Sequence, residues 1–120
     1  TAEENSFTVQ IYGKNGCFKW NQENPNYLYH LMEGKPIQIL KPGNSYLSDF
    51  SLKSSKLPPG HPEGFFDAMG NIYNGVAKTL KKVQKDDGSY PSINEGVRGM
   101  MFIEKVLESN KNGNKWIKLD

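Results

Sequence analysis

Four short apolar segments within residues 6–41 are joined by connections too short for a helical crossover. Consecutive strands linked this tightly can only run antiparallel, which constrains the fold more than any other feature of the chain. In "SFTVQIY", Phe7, Val9 and Ile11 alternate with Thr8, Gln10 and Tyr12, the period of a half-buried strand. "GKNG" follows, and Asn15-Gly16 is expected to supply the positive φ angles of a tight hairpin. "CFKWN" resumes with Phe18 and Trp20 on one face. "NQENPN" interrupts with turn formers, and "YLYHLME" and "PIQILK" form a further hairpin across "GK".

Residues 42–60 are rich in Gly, Ser, Asn and Pro and lack periodicity, so they read as one long ordered connection. Two helices follow. Phe65, Met69, Ile72, Tyr73, Val76, Leu80 and Val83 recur at helical spacing, with Pro62 suited to the first helical position. "SINE" opens the second, where Ser92 and Glu95 can form a capping box. Ile93, Val97, Met100, Ile103 and Leu107 mark its buried stripe, and Asn112-Gly113 should end it with a left-handed cap. "KWIKL" reads as a last short strand returning to the sheet. The expected class is α+β: a mostly antiparallel sheet, about four N-terminal strands plus a short C-terminal strand, with two helices packed on one face.

At 120 residues the chain has the size of a single domain. A net charge of +2 is too mild to point to nucleic acid or an anionic membrane. Cys17 is the lone cysteine, so no intrachain disulfide can form, and a reducing, cytoplasmic setting is expected. No apolar run approaches the ~20 residues that span a bilayer. The start at Thr1, running straight into a strand, reads as an excised piece of a longer protein.

Catalytic chemistry is sparse. His30, His61 and Cys17 sit on unrelated elements without ligand spacing, so no metal site is expected. Cys17, in a strand, reads as a small buried core residue, with a nucleophilic pair to either histidine as the alternative, and His30, also in a strand, reads as a sheet residue. "GKNG" joins two strands and does not open a helix, so it is no phosphate loop. Asp86-Asp87 before Gly88 most simply makes a turn. Lys78, Lys81, Lys82 and Lys85 complement a helix C-terminus better than they build an anion site. The aromatics Trp20, Tyr27, Tyr29, Phe65, Phe66 and Tyr73 read as core, with a ligand groove as the alternative. In "GHPEG", His61 and Glu63 precede a helix, where unpaired N–H groups and the positive dipole end favour a polar ligand and a neutral imidazole. The simpler reading is a local cap with a first-turn acid.

"IYGKNGCFKWNQENPNYLYHL", "LPPGHPEGFFDAMGNIYNGVAKTL" and "YPSINEGVRGMMFIEKVLESNKNGNKWIKL" together resemble the closing third of the Gfo/Idh/MocA family of NAD(P)-dependent oxidoreductases. "GHPEG" and "EGVRGMMFIEKVLES" are the most specific stretches. The resemblance implies a C-terminal α+β domain, residues 1–120, that helps form the substrate pocket and the oligomer interface. It implies an N-terminal Rossmann domain elsewhere, holding NAD or NADP, and a sugar, inositol or related polyol as substrate. The family's glycine-rich cofactor loop, its Glu-Lys-Pro motif with the catalytic lysine and its Asp/His motif have no counterpart here.

The resemblance therefore assigns His61 and Glu63 to substrate binding, no catalytic residue to this chain, and no activity to it alone. A homo-oligomer formed through the sheet is the expected assembly. The rival expectations are a non-enzymatic, sheet-mediated interaction module and a small sugar-binding protein.

Overall fold

The structure, a computed structural model, describes residues 2–83 and 88–119. It divides into two compact units, Thr1–Asn71 and Ile72–Asp120.

The first unit is built on the expected antiparallel meander. β1 (Thr8–Gly13), β2 (Gly16–Asn21), β3 (Leu28–Leu31) and β4 (Gln38–Leu40) lie in the order β1-β2-β3-β4. The register sets two rows of side chains across one face. Val9, Trp20, Leu28 and Leu40 form one; Ile11, Phe18, His30 and Gln38 form the other. Phe18 stacks on the His30 ring with centroids 4.5 Å apart, and His30 Nδ1 lies 3.2 Å from Gln38 Oε1. His30 is thus a cross-strand partner, as its position in a strand implied.

The first hairpin differs in detail from expectation. Gly13 pairs with Gly16, so Lys14 and Asn15 are the loop residues, and Asn15 is not at positive φ. Gly16 serves another purpose: a Cβ there would sit 2.4 Å from the Leu31 carbonyl oxygen, so the close approach of β2 to β3 needs a glycine.

The connection after β4 contains a helix that sequence periodicity missed, α1 (Asp49–Ser54). Ser48 caps it, its Oγ accepting from the Ser51 N–H at 3.3 Å, with Asp49 in the first turn. Six residues are too few to show a helical stripe. α2 (Phe65–Leu80) begins three residues after Pro62, so Pro62 precedes the helix and does not open it.

The second unit holds the rest of α2 and α3 (Ile93–Lys111). α2 stops at Leu80 because Lys82 turns left-handed, φ +56°, and the Val83 N–H reaches back to the Lys78 carbonyl at 3.0 Å. Val83 therefore lies beyond the helix and outside its stripe. The expected capping box opens α3: the Ser92 N–H donates to Glu95 Oε2 at 2.9 Å, and Ser92 Oγ accepts from the Asn94 N–H. The left-handed stop is there too. Gly113 has φ +75°, and the Asn114 N–H reaches the Ser109 carbonyl at 2.8 Å.

Two expectations fail here. Residues 115–119 form no strand, and among the described residues the second unit offers none for them to pair with; Ser109 Oγ instead donates to the Lys115 carbonyl at 2.7 Å. The α3 stripe has the right spacing, yet Ile93, Val97, Met100, Ile103 and Leu107 are all exposed. Indeed no apolar side chain is fully buried among the described residues. The expected Asp86-Asp87 turn and Lys85 lie outside them.

Candidate functional site

Within the first unit, the Trp20–Leu28–Leu40 row floors a groove of about 640 Å³. α1 contributes Phe50, the start of α2 contributes Phe65, and Phe7 and Leu47 complete the apolar wall. Phe7 packs edge-on against Trp20, ring centroids 6.2 Å apart. Trp20 Nε1 donates to the Pro25 carbonyl at 3.0 Å, satisfying the indole at the wet end of the groove. Of the expected aromatic set, Trp20 and Phe65 line this groove, while Tyr27 carries the Lys41 ammonium 5.1 Å from its ring centre.

Four polar side chains around the groove, Asn26, Glu63, Asp67 and Asn71, also hold the fold together. Asn26 brackets the Glu63 backbone, Nδ2 donating to the carbonyl and Oδ1 accepting from the N–H, each at 2.9 Å. Glu63 Oε1 accepts from the N–H groups of Lys56 and Leu57, both at 2.8 Å. Asp67 Oδ2 accepts from the Gly64 N–H at 2.8 Å, while the Gly64 carbonyl receives the first helical bond, from Ala68. Asn71 Nδ2 donates to the Ser54 carbonyl at 2.7 Å, joining α2 to the end of α1.

These bonds stretch the loop of residues 56–64 between two clamps, with His61 between them. Gly60 adopts φ +88°, and both the His61 N–H and its Nδ1 lie 3.2 Å from the Pro58 carbonyl. With the proton on Nδ1, that bond leaves Nε2 as an acceptor on an exposed ring.

The two residues singled out from the sequence thus occupy different places. Glu63 lines the groove and holds the loop; His61 is exposed and is not a lining residue. Neither stands at a bare helix terminus, because α2 starts only at Phe65. Sequence reading missed Asn26, Asp67 and Asn71. Asp67, three residues after Gly64, carried a capping signal; nothing in the sequence pairs Asn26 with Glu63.

A dinucleotide does not fit these residues. Pyrophosphate sites use bare helix N-termini behind a glycine-rich turn, and both long helices here present carboxylates there, Asp67 and Glu95. Among the described residues no group of three His, Cys, Asp or Glu side chains could hold a metal ion, and Cys17 is half-buried in β2. No helix among them is long and apolar enough to cross a membrane.

No protein-family model matches the chain. It is 30% identical over 115 residues to the uncharacterized oxidoreductase YfiI of Bacillus subtilis, covering 91% of this chain and 29% of that protein. Its fold matches an oxidoreductase from Sinorhizobium meliloti with a TM-score of 0.89 and 34% identity, covering 98% of this chain and 33% of that one. An inositol dehydrogenase homologue from Azotobacter vinelandii, complexed with NADH and myo-inositol, matches with a TM-score of 0.85 and 30% identity, covering 94% and 31%. The chain spans about a third of the length of each of these relatives. Sequence and fold agree, and they bear out the likeness of this chain to the C-terminal part of a Gfo/Idh/MocA-type oxidoreductase.

Proposed function

We propose that this chain is the C-terminal, substrate-side domain of a cytoplasmic NAD(P)-dependent oxidoreductase that acts on a sugar, inositol or related polyol. The observation that carries the reading is the match over 94% of the chain to a dehydrogenase homologue solved with NADH and myo-inositol. A preceding Rossmann domain would hold the nicotinamide cofactor. Hydride transfer needs both parts, so the chain alone is inactive.

In this reading His61 takes a substrate hydroxyl through an imidazole nitrogen. Glu63 fixes the loop that presents it, through the two N–H groups its carboxylate accepts. The proton transfer falls to residues outside this chain. The sheet supplies the oligomer interface: Tyr12 and Ile39, on the face opposite the Trp20 row, are exposed apolar surface of the kind subunits cover.

The test is NAD reduction by the longer protein with myo-inositol and a panel of sugars, run beside the 120-residue chain. Turnover by the longer protein alone supports the reading. Turnover by neither, or by the chain alone, overturns it. A sugar-binding protein without a partner domain has less support, because the relatives are oxidoreductases about three times as long as this chain.

A further inference from the structure

Three asparagine–glycine pairs occur in the chain, Asn15–Gly16, Asn74–Gly75 and Asn112–Gly113. Asparagine before glycine is the pair most open to self-cyclisation, because glycine has no Cβ to keep its backbone nitrogen from the asparagine Cγ. The fold treats the three pairs differently. Asn74 lies inside α2, where Gly75 is fully buried and its N–H belongs to the helical ladder. Asn112 ends α3 with its side chain engaged: Nδ2 donates to the Glu108 carbonyl at 2.9 Å, while the Gly113 N–H is turned toward the Asn110 carbonyl at 3.4 Å. Asn15 is exposed in the two-residue loop between β1 and β2, and its amide makes no hydrogen bond among the described residues. Gly16 sits in the last pair of the ladder, opposite Gly13, where strand ends open at little cost.

Gly16 is also a glycine that the fold cannot exchange. A Cβ there would lie 2.4 Å from the Leu31 carbonyl oxygen and 3.2 Å from the Met32 side chain. The close approach of β2 to β3 thus keeps a glycine after Asn15, and that glycine keeps Asn15 labile.

We infer that Asn15 is a site of spontaneous covalent modification, with water as its co-reactant and a carboxylate at the tip of the first hairpin as its product. The Gly16 nitrogen attacks Asn15 Cγ. The new C–N bond closes a succinimide ring, the Cγ–Nδ2 bond breaks, and ammonia leaves with the proton from the Gly16 nitrogen. Water then opens the ring at either carbonyl carbon. Opening at Cγ leaves aspartate on the original backbone. Opening at the main-chain carbonyl leaves isoaspartate, in which the backbone runs through Cβ and gains one atom. Nothing is oxidised or reduced: water enters and ammonia leaves. Either product puts a negative charge beside Lys14 at neutral pH. Isoaspartate also lengthens a loop closed by Gly13 and Gly16, and so shifts Gly16 against the Leu31 carbonyl it already approaches closely.

The test ages the intact native protein in heavy-oxygen water and follows each pair by peptide mass spectrometry, with electron-transfer fragmentation to separate aspartate from isoaspartate. Asn15 should convert about five-fold faster than Asn112, the worth of the hydrogen bond that holds the Asn112 amide, and Asn74 should stay unmodified over the same interval. In denaturant, where no fold restrains them, the rates should draw together. Conversion of Asn112 or Asn74 as fast as Asn15, no conversion at any pair, or the same ranking in denaturant overturns the inference. Asn15→Ser, aged alongside, should keep its urea midpoint while that of the native protein falls as isoaspartate accumulates. A native midpoint that holds despite isoaspartate overturns the disturbance assigned to the longer loop.

Discussion

Asn26 and Glu63, 37 residues apart, are joined by a reciprocal pair of hydrogen bonds, each 2.9 Å, between the Asn26 side-chain amide and the Glu63 backbone carbonyl and N–H. The turn between β2 and β3 thereby sets the position of the "GHPEG" loop. A side-chain amide that both donates to the carbonyl and accepts from the N–H of one residue imitates a strand pairing, and it fixes the two peptide groups flanking that residue in orientation as well as in place.

That relationship separates positioning from contact in the loop. Asn26→Ala removes both bonds and strands a partly buried peptide, so a loss of about 2 kcal/mol in urea unfolding is expected. His61→Ala breaks only an exposed contact to the Pro58 carbonyl and should stay within about 0.5 kcal/mol of the parent. In the longer enzyme the ranking reverses for substrate: His61→Ala raises KM about ten-fold, the loss of one substrate hydrogen bond at roughly 1.4 kcal/mol. An unchanged KM in His61→Ala would remove His61 from the substrate site.

Two glycines test the difference between backbone and side-chain obstacles. A Cβ on Gly16 meets the Leu31 carbonyl oxygen at 2.4 Å, and that oxygen belongs to the sheet ladder and cannot step aside. A Cβ on Gly75, the one fully buried residue of α2, meets Ser89 Oγ at 2.5 Å and the Tyr90 ring at 3.0 Å, side-chain atoms that can shift where a ladder carbonyl cannot. Gly16→Ala is therefore expected to cost about 3 kcal/mol, and Gly75→Ala about 1 kcal/mol, the latter helped by the better helix propensity of alanine. Equal losses in chemical denaturation would contradict this.

Lys82 closes α2 at φ +56°, a conformation that a side chain makes costly. Lys82→Gly should raise stability by about 1 kcal/mol, less the extra freedom glycine adds to the unfolded chain. A fall in the urea midpoint would show that the left-handed stop does not persist in solution.

The capping box of α3 carries a pH signature. Hydrogen bonds from the Ser92 hydroxyl, then from the Ser92 N–H and the Glu95 backbone, hold the Glu95 carboxyl below its ordinary value of 4.5. A lowered folded-state pKa contributes stability that is present above the unfolded value and lost as pH falls through the folded one. Helicity followed by circular dichroism should thus fall more steeply below pH 4.5 in the native protein than in Glu95→Gln, whose amide keeps the cap without titrating. Parallel acid profiles would count against the box as a titrating element.

Local order was legible in the sequence because it depends on neighbours along the chain. The short connections between strands, the Ser92–Glu95 box and the Gly113 stop all act within a few residues, and each appears where its pattern placed it; the alternation of Phe7, Val9 and Ile11 marked the strand, but Phe7 and Ile11 are exposed. The general region of the site was legible too, through "GHPEG". What tertiary structure alone decided were the relationships across distance. It paired Asn26 with Glu63, turned the Glu63 carboxylate to the N–H groups of residues 56 and 57, and set Trp20, Leu28, Leu40, Phe50 and Phe65 around one groove. It also left residues 115–119 without a strand partner and the α3 stripe uncovered, although both patterns are plain in the sequence. A pattern states which face wants to be buried, and burial itself takes a second surface that the pattern does not contain.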